Sequence, residues 1–352
     1  MNTINERFKI GHVEVGKDRP CHLIAEIGLN HNGSIDLAKE MIDAAALSGA
    51  TMVKFQKRNP SQLATAAMLD APFPKCPLFG STQREVRERL ELTADQLDEL
   101  KSYSESLGLL FFTSVFDIDS LAIAVELGVP ALKIASHSMT NGPLLEAAAA
   151  TGLPIFASLG GVNWREADQA VSILKASPLA LFHCVSSYPT PDNQVKLDTI
   201  SAIRDRYGVP VGFSGHEAGI IISMAAATLG AAMIERHFTL NRAMVGLDHG
   251  ISLEPQEFSE LALALRRIEQ ARGVTDEVTS FEQPARTNYH VAVRAARPIK
   301  AGAQITREDL HCKQPLEDQG KNFTGLEIGE IVGRVAQRDF DIDDAIGRNE
   351  IK

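Results

Sequence analysis

Residues able to do chemistry recur at the ends of short apolar runs. Lys54 and Lys133 lie inside the runs VKF and LKI, where a buried ammonium needs a partner or water. A substrate phosphate or carboxylate would supply one, and the alternatives are an ion pair with Glu26 or Glu235 or a Schiff-base role. Around them the runs end on Ser114, Ser136, Ser158, Ser186 and Ser214. One serine at such a place reads as a cap or turn, whereas their repetition beside two lysines suits a tetrahedral oxyanion, which takes charge and directional donors together. His216, in FSGH, and His237, in ERHF, close successive runs. Two imidazoles with open positions suit a catalytic divalent ion such as manganese or zinc, completed by water and substrate oxygens. A satisfied core histidine or a metal-free general base is the other reading. Gln56 stands at a run end beside Lys54, and Glu26, Glu235 and Asp248 are the carboxylates able to orient ligands or move protons.

The elements that must position these residues follow from periodicity. From residue 20 to about 272, short β-rich runs alternate with longer helix-period segments, the pattern of parallel strands joined by crossover helices. Eight strands are expected: His22–Glu26, Met52–Gln56, Leu110–Ser114, Ala131–Ser136, Ile155–Ser158, Leu179–Cys184, Val209–Ser214 and Met233–His237. Between them lie helical stretches such as Ile35–Ser48, Ala94–Leu107, Ser120–Leu127, Trp164–Ala176 and Glu217–Leu229. Ser34 is an N-cap candidate, and Gly49, Gly108, Gly128, Gly152 and Gly230 are C-cap candidates. The fold class is therefore α/β, a (β/α)8 TIM barrel whose strand ends converge on one face. Phe8–Val15 reads as a hairpin closing the floor. We expect the barrel to span residues 1–273, an aperiodic polar linker residues 274–290, and a small second domain residues 291–352. In the last, RPIKAGAQITREDL (Arg297–Leu310) and RDFDIDDAIGRNEI (Arg338–Ile351) superpose without a gap, sharing Arg297/Arg338, Ile305/Ile346 and Arg307/Arg348.

Composition narrows the class further. The 352 residues carry a net charge of −10 and no dense Lys/Arg cluster, which disfavours nucleic acid as a partner. No apolar run approaches the roughly 20 residues of a membrane span. The N-terminus lacks a secretory signal, and Cys21, Cys76, Cys184 and Cys312 form no Cys-x-x-Cys pair. The expectation is a cytoplasmic protein with free thiols.

With these residues in place the chain resembles the sialic acid synthase family, including the pseudaminic and legionaminic acid synthases, nearly end to end. The resemblance rests on IAEIGLNHNG (Ile24–Gly33), VKFQ (Val53–Gln56), LKIAS (Leu132–Ser136), HCVSSYPTP (His183–Pro191), GFSGHE (Gly212–Glu217) and ERHFTLNRAMVGLDHGISLEP (Glu235–Pro255). The C-terminal segment resembles the small, mostly β antifreeze-like (SAF) domain that these synthases carry. The resemblance implies condensation of phosphoenolpyruvate with an N-acylmannosamine-like sugar, with release of phosphate by C–O cleavage, N-acetylneuraminate synthesis being the expected form. It implies a phosphoenolpyruvate site of Lys54, Lys133, Ser136, Ser158 and Ser214, with Ser114 and Ser186 beside them. His216 and His237 would hold manganese, with magnesium, cobalt or zinc as alternatives. Glu26, Tyr188, Glu235 and Asp248 take catalytic roles, and Gln56, Tyr188, Asp248 and Gln314 face the sugar. A homodimer with exchanged C-terminal domains is implied as well. Ser138, Ser186, Gln83 and Gln314 stand where the family commonly has glutamate, asparagine, tyrosine and arginine, departures that leave the phosphoenolpyruvate and metal residues intact and bear on the identity of the sugar. A synthase of pseudaminic, legionaminic or spore-coat type, a phosphoenolpyruvate-dependent keto-deoxy sugar acid synthase, and a non-catalytic sugar-binding homologue are the alternatives.

Overall fold

The structure, a computed structural model, describes residues 6–314 and 323–352. The chain divides into two compact units, Met1–Arg272 and Gly273–Lys352.

In the first unit a hairpin, β1 (Arg7–Ile10) and β2 (Val13–Gly16), precedes eight parallel strands. These are β3 (His22–Gly28), β4 (Met52–Lys57), β5 (Leu110–Val115), β6 (Leu132–Ile134), β7 (Ile155–Ser158), β8 (Leu179–Cys184), β9 (Val211–Gly215) and β10 (Met233–His237). They close into a barrel in chain order, β10 pairing with β3. The two-residue period of a strand sends alternate side chains inward and outward. Outward residues such as Val53, Phe111, Leu181 and Ile234 pack against the helices in the main core. Inward residues form tiers: Ile24, Met52, Phe112, Phe156 and Phe182 meet Phe8, Ile10, Val13 and Val15 of the hairpin, which plugs the floor as expected. The next inward residues along the same strands are Glu26, Lys54, Ser114, Ser158 and Cys184. The apolar tier thus supports the polar one.

Caps set the crossover helices. Ser34 accepts the Leu37 N–H at the start of Ile35–Leu47, and capping boxes start Gln83–Leu90, Ala94–Ser106 and Trp164–Leu174. Gly108 and Gly128, at φ +78° and +65°, follow helix ends with no atom near enough to hinder a Cβ, so the left-handed backbone is what favours glycine there. Several bounds differ from expectation, three of them for a visible local reason. β6 is confined to Leu132–Ile134 because Ser136–Ser138 turns into a 3-10 helix. β9 begins only after Pro210, which lacks a ladder donor. The helix expected from Glu217 begins at Ile221, because Glu217–Gly219 is held as a loop by Arg236.

The second unit holds a helix, Gln283–Tyr289, within the stretch expected to be aperiodic, with proline in its first turn. β11 (Ala292–Ala295) pairs antiparallel with β12 (Leu310–Lys313). The pseudo-repeat is structural: Arg297 Nε meets Asp309 at 2.6 Å, and Arg338 Nε meets Glu350, at the same spacing, at 2.8 Å. Ile299 bridges Phe340, and Ile305 and Ile346 are both buried in this unit's own core. Among the described residues no helix is long and apolar enough to cross a membrane.

Candidate active site

The polar tier lies at the C-terminal ends of the barrel strands. β3 and β4 pair in a register that sets Glu26 against Lys54, and Lys54 Nζ lies 2.6 Å from Glu26 Oε2. Lys54 also donates to Ser114 Oγ at 2.8 Å. Across the barrel Lys133 Nζ lies 2.6 Å from Glu235 Oε2, and Ser214 donates to Glu235 Oε1 at 3.0 Å. Glu235 Oε1 is also 3.7 Å from Lys54, so this carboxylate links the two lysines. Gln56 donates to Glu26 Oε1 at 2.9 Å. The ion-pair reading of Lys54 and Lys133 is therefore realised, and two ammoniums balance two carboxylates.

Burial works against every charge in this cluster, and neighbours decide the outcome. At Lys54 the carboxylates of Glu235 and Glu26 outweigh burial, and its pKa rises. At Lys133 burial prevails over Glu235, with Lys54 adding to it, and its pKa falls. For Glu235 burial is opposed by Lys133 and Lys54, which hold its carboxyl down at about 2. Lys133 also sits over the Phe182 ring, 4.4 Å from the centroid.

Ser136 and Ser186 flank Gly160, whose N–H donates to Ser136 Oγ at 3.1 Å. A Cβ there would come within 2.5 Å of Ser186 Oγ and 2.7 Å of Ser136 Oγ, so only glycine leaves this cradle open. Ser158 Oγ, buried at the end of β7, has no partner among the described residues. It is a hydroxyl available to an oxyanion.

His216 follows β9 and His237 ends β10; their ring centroids are 5.5 Å apart, and Tyr188 lies 4.1 Å from one and 6.2 Å from the other. His216 Nδ1 is 2.9 Å from the Val185 carbonyl, an arrangement in which Nδ1–H donates and Nε2 keeps its lone pair. Burial, then the neighbouring His237, lowers the His216 pKa to about 3, so the ring is neutral. His237 Nδ1 is buried without a hydrogen bond and stands 4.0 Å from Asp248. A neutral His216 with a free Nε2, beside a His237 whose Nδ1 has no partner among the described residues, fits a divalent ion. Among the described residues no group of three or more His, Cys, Asp or Glu is placed to hold a metal ion, so His216 and His237 stand as a pair.

Thus Glu26, Lys54, Gln56, Ser114, Lys133, Glu235 and Ser214 come together in one network. Ser136 and Ser186 share the Gly160 cradle, Ser158 lies on the same tier, and Tyr188 and Asp248 flank the histidines. Gln314 belongs to the second unit, where it donates to the Tyr289 carbonyl at 3.0 Å. Sequence reasoning missed Arg236. It is fully buried on the outward face of β10, between Glu235 and His237, and donates to Glu217 Oε1 (2.8 Å), the Glu217 carbonyl (2.6 Å), the Gly219 carbonyl (2.7 Å) and Ser223 Oγ (2.9 Å). The loop after one histidine is thereby strapped to the strand of the other. The available signal was a charge inside an apolar run, as for the lysines. Asn30 was missed as well; it donates to the Phe238 carbonyl and Ser252 Oγ and so ties the loop after β3 to residues on either side of Asp248.

A closed parallel barrel with ammonium, hydroxyl and imidazole groups at its strand ends defines the class as a (β/α)8-barrel enzyme. More particularly, the chain belongs to the NeuB family, whose profile matches residues 41–277, and the SAF domain profile matches residues 290–351. It is 33% identical to the N,N'-diacetyllegionaminic acid synthase of Campylobacter jejuni over 92% of this chain and 98% of that one. It is 35% identical to the N-acetylneuraminate-9-phosphate synthase of Homo sapiens over 94% and 93%. Among solved structures, the sialic acid synthetase of Leptospira borgpetersenii in complex with citrate is similar with a TM-score of 0.71 at 36% identity, covering 79% of this chain and 94% of that one.

Proposed function

We propose that this chain condenses phosphoenolpyruvate with the open-chain aldehyde of an N-acylated amino sugar, forming a sialic-acid-type nonulosonate with C–O cleavage and release of phosphate. The observation that carries this is the buried, charge-balanced Lys54–Glu26 and Lys133–Glu235 cluster, ringed by hydroxyls, with the paired imidazoles of His216 and His237 beside it. The relatives named as legionaminic acid and N-acetylneuraminate-9-phosphate synthases support the product class.

Lys54 and Lys133 turn toward the carboxylate and phosphate of phosphoenolpyruvate, and Ser158, Ser136, Ser186 and the Gly160 N–H supply donors to the phosphate oxygens. A divalent ion, which we take to be manganese held by His216 and His237, would supply Lewis-acid polarisation of the aldehyde. Tyr188, Gln56 and Asp248 orient the sugar. C3 of phosphoenolpyruvate then bonds to the aldehyde carbon, water adds at C2, and phosphate departs with the bridging oxygen. Glu235 engages Lys133 and Ser214 and is held ionised at low pKa, which makes it a poor base at neutral pH. Glu26, whose Oε1 accepts from the neutral Gln56 amide while Oε2 faces Lys54, is assigned the water's proton.

Phosphoenolpyruvate labelled with heavy oxygen in the bridge is the test. The label is expected in inorganic phosphate and absent from C2 of the sugar acid; its retention in the organic product would refute the mechanism. Chelation should abolish turnover and manganese restore it, whereas the double variant His216→Ala/His237→Ala should not recover at the same metal concentration. We further infer a cytoplasmic homodimer in which the SAF domain completes the partner's barrel. Full activity in a strictly monomeric sample would exclude that assembly.

A further inference from the structure

The chain from Phe238 to Leu253, which carries Asp248, is a loop zipped shut at its base. Phe238 and Leu253 bridge in parallel, the Leu253 N–H donates to the His237 carbonyl at 2.8 Å, and the Thr239 N–H donates to the Leu253 carbonyl at 3.0 Å. Inside the loop His249, only 1% exposed, joins base to tip. Its Nδ1 lies 2.7 Å from Thr239 Oγ1, and the same hydroxyl oxygen accepts the Asn241 N–H at 3.2 Å. The far edge of the ring packs on the tip: a Cβ at Gly246 would fall 2.4 Å from the ring's Cδ2 and 2.7 Å from Nε2, so only glycine lets the backbone lie this close. The tip is fastened in turn. Asn32 Nδ2 donates to the Val245 carbonyl at 2.9 Å, and Leu247 packs against Leu29, Val86 and Leu90. Ser252 Oγ donates to the Asp248 carbonyl at 2.7 Å. The backbone of Asp248 is thus held from both sides. Its carboxylate approaches His237 Nδ1 only to 4.0 Å, too far for a hydrogen bond, and keeps 21% of its side-chain surface exposed.

A carboxylate on a loop orients a substrate only if the loop has one conformation, because a displacement of an ångström is enough to spoil a directional contact. The Thr239–His249 contact runs from just beyond the strand that ends in His237 to the residue after Asp248. We propose that His249 is the positioning residue for Asp248. Its imidazole, tied to Thr239 and backed by Gly246, sets the direction from which the Asp248 carboxylate meets the hydroxyls of the acceptor sugar. The inference rests on the synthase reading above, in which Asp248 orients the sugar. His249 is itself buried and acts through its neighbour. Phosphoenolpyruvate, held in that reading by Lys54 and Lys133 on other strands, is outside its reach, so the effect of His249 falls on the sugar alone.

The test is a double-mutant cycle read in steady-state kinetics at saturating manganese. The substrates are phosphoenolpyruvate and whichever of N-acetylmannosamine and its 6-phosphate the wild type turns over faster. His249→Leu and Thr239→Val, which break the contact from its two ends, should each raise KM for the sugar by roughly 10-fold and leave KM for phosphoenolpyruvate within about 2-fold. His249→Asn, which keeps a polar nitrogen near the place of Nδ1, should recover part of the loss. Asp248→Asn should raise the same constant. Adding His249→Leu to Asp248→Asn should change it by less than about 2-fold, because a residue that acts only through Asp248 then has nothing left to position. Thr239→Val carries the test if His249→Leu fails to fold. Additive effects of His249→Leu and Asp248→Asn, an equal rise in both Michaelis constants, or a wild-type sugar KM in Thr239→Val would overturn the positioning role and leave the synthase reading standing. An unchanged sugar KM in Asp248→Asn would remove Asp248 from the sugar site and this proposal with it. No turnover with either sugar would take down both readings.

Discussion

At the scale of single residues, the two lysines are held by carboxylates that must share them with substrate. Replacing Lys54 or Lys133 with alanine removes the proposed phosphate contact and leaves Glu26 or Glu235 as a buried charge with one partner fewer. We expect each variant to raise KM for phosphoenolpyruvate and lower kcat, with kcat/KM down by roughly 100- to 1000-fold in steady-state assays. The thiols make a separate prediction. Cys21, Cys76 and Cys184 are buried and Cys312 is exposed, so a thiol reagent should label one cysteine rapidly in the native protein and four after unfolding. Burial, and then Glu269, pushes the Cys21 thiol up to about 12 from its ordinary 9.0. A raised folded-state pKa contributes stability that is present below pH 9 and lost as pH climbs through 12. Melting temperatures of wild type and Cys21→Ala across that window should converge as the pH rises.

At the scale of elements, the histidine pair depends on how β9 and β10 are joined at their ends. Arg236 faces away from the substrate yet ties the loop after His216 to the strand that ends in His237. Residues that hold ligands in place typically govern metal affinity by about 10- to 100-fold. If the pair holds manganese as proposed, Arg236→Met should weaken its binding by that amount, read by electron paramagnetic resonance of the free ion, while phosphoenolpyruvate binding to the metal-free protein changes little. Arg236→Lys should recover part of the affinity. Equal manganese affinity in a folded Arg236→Met protein would make this residue purely structural.

At the scale of the whole molecule, the two units have separate cores, one around the barrel and one joining Val293, Ile305, Phe340 and Ile346. Separate cores unfold separately when little couples them. Calorimetry should show two transitions, and a chain ending at Arg272 should retain the larger one. If the proposed dimer is correct, that shortened chain loses turnover despite keeping its barrel; full turnover would remove the SAF domain from the chemistry.

The sequence by itself determined the barrel, because polar residues closing eight apolar runs have no other economical arrangement than strands converging on one face. It also determined which residues face inward, since the strand period leaves Lys54 with Gln56 and Glu235 with His237. The superposable arginines and isoleucines of the second unit were legible for a similar reason, each repeat carrying its own ion pair and core residue. Only the tertiary structure decided who meets whom. A period of two fixes the face of a side chain but not its neighbour across the barrel, and closure of β10 against β3 is what brings Glu235 to Lys133 and within 3.7 Å of Lys54. The helix at Gln283–Tyr289 escaped notice because it buries no face, so no apolar period marks it. Arg236 escaped because its partners, Glu217 and Gly219 in the loop after β9 and Ser223 in the helix that follows, lie at no spacing counted from its own strand. Side-chain type and period are local properties written in the chain; ion-pair partners are set by the register in which distant strands close.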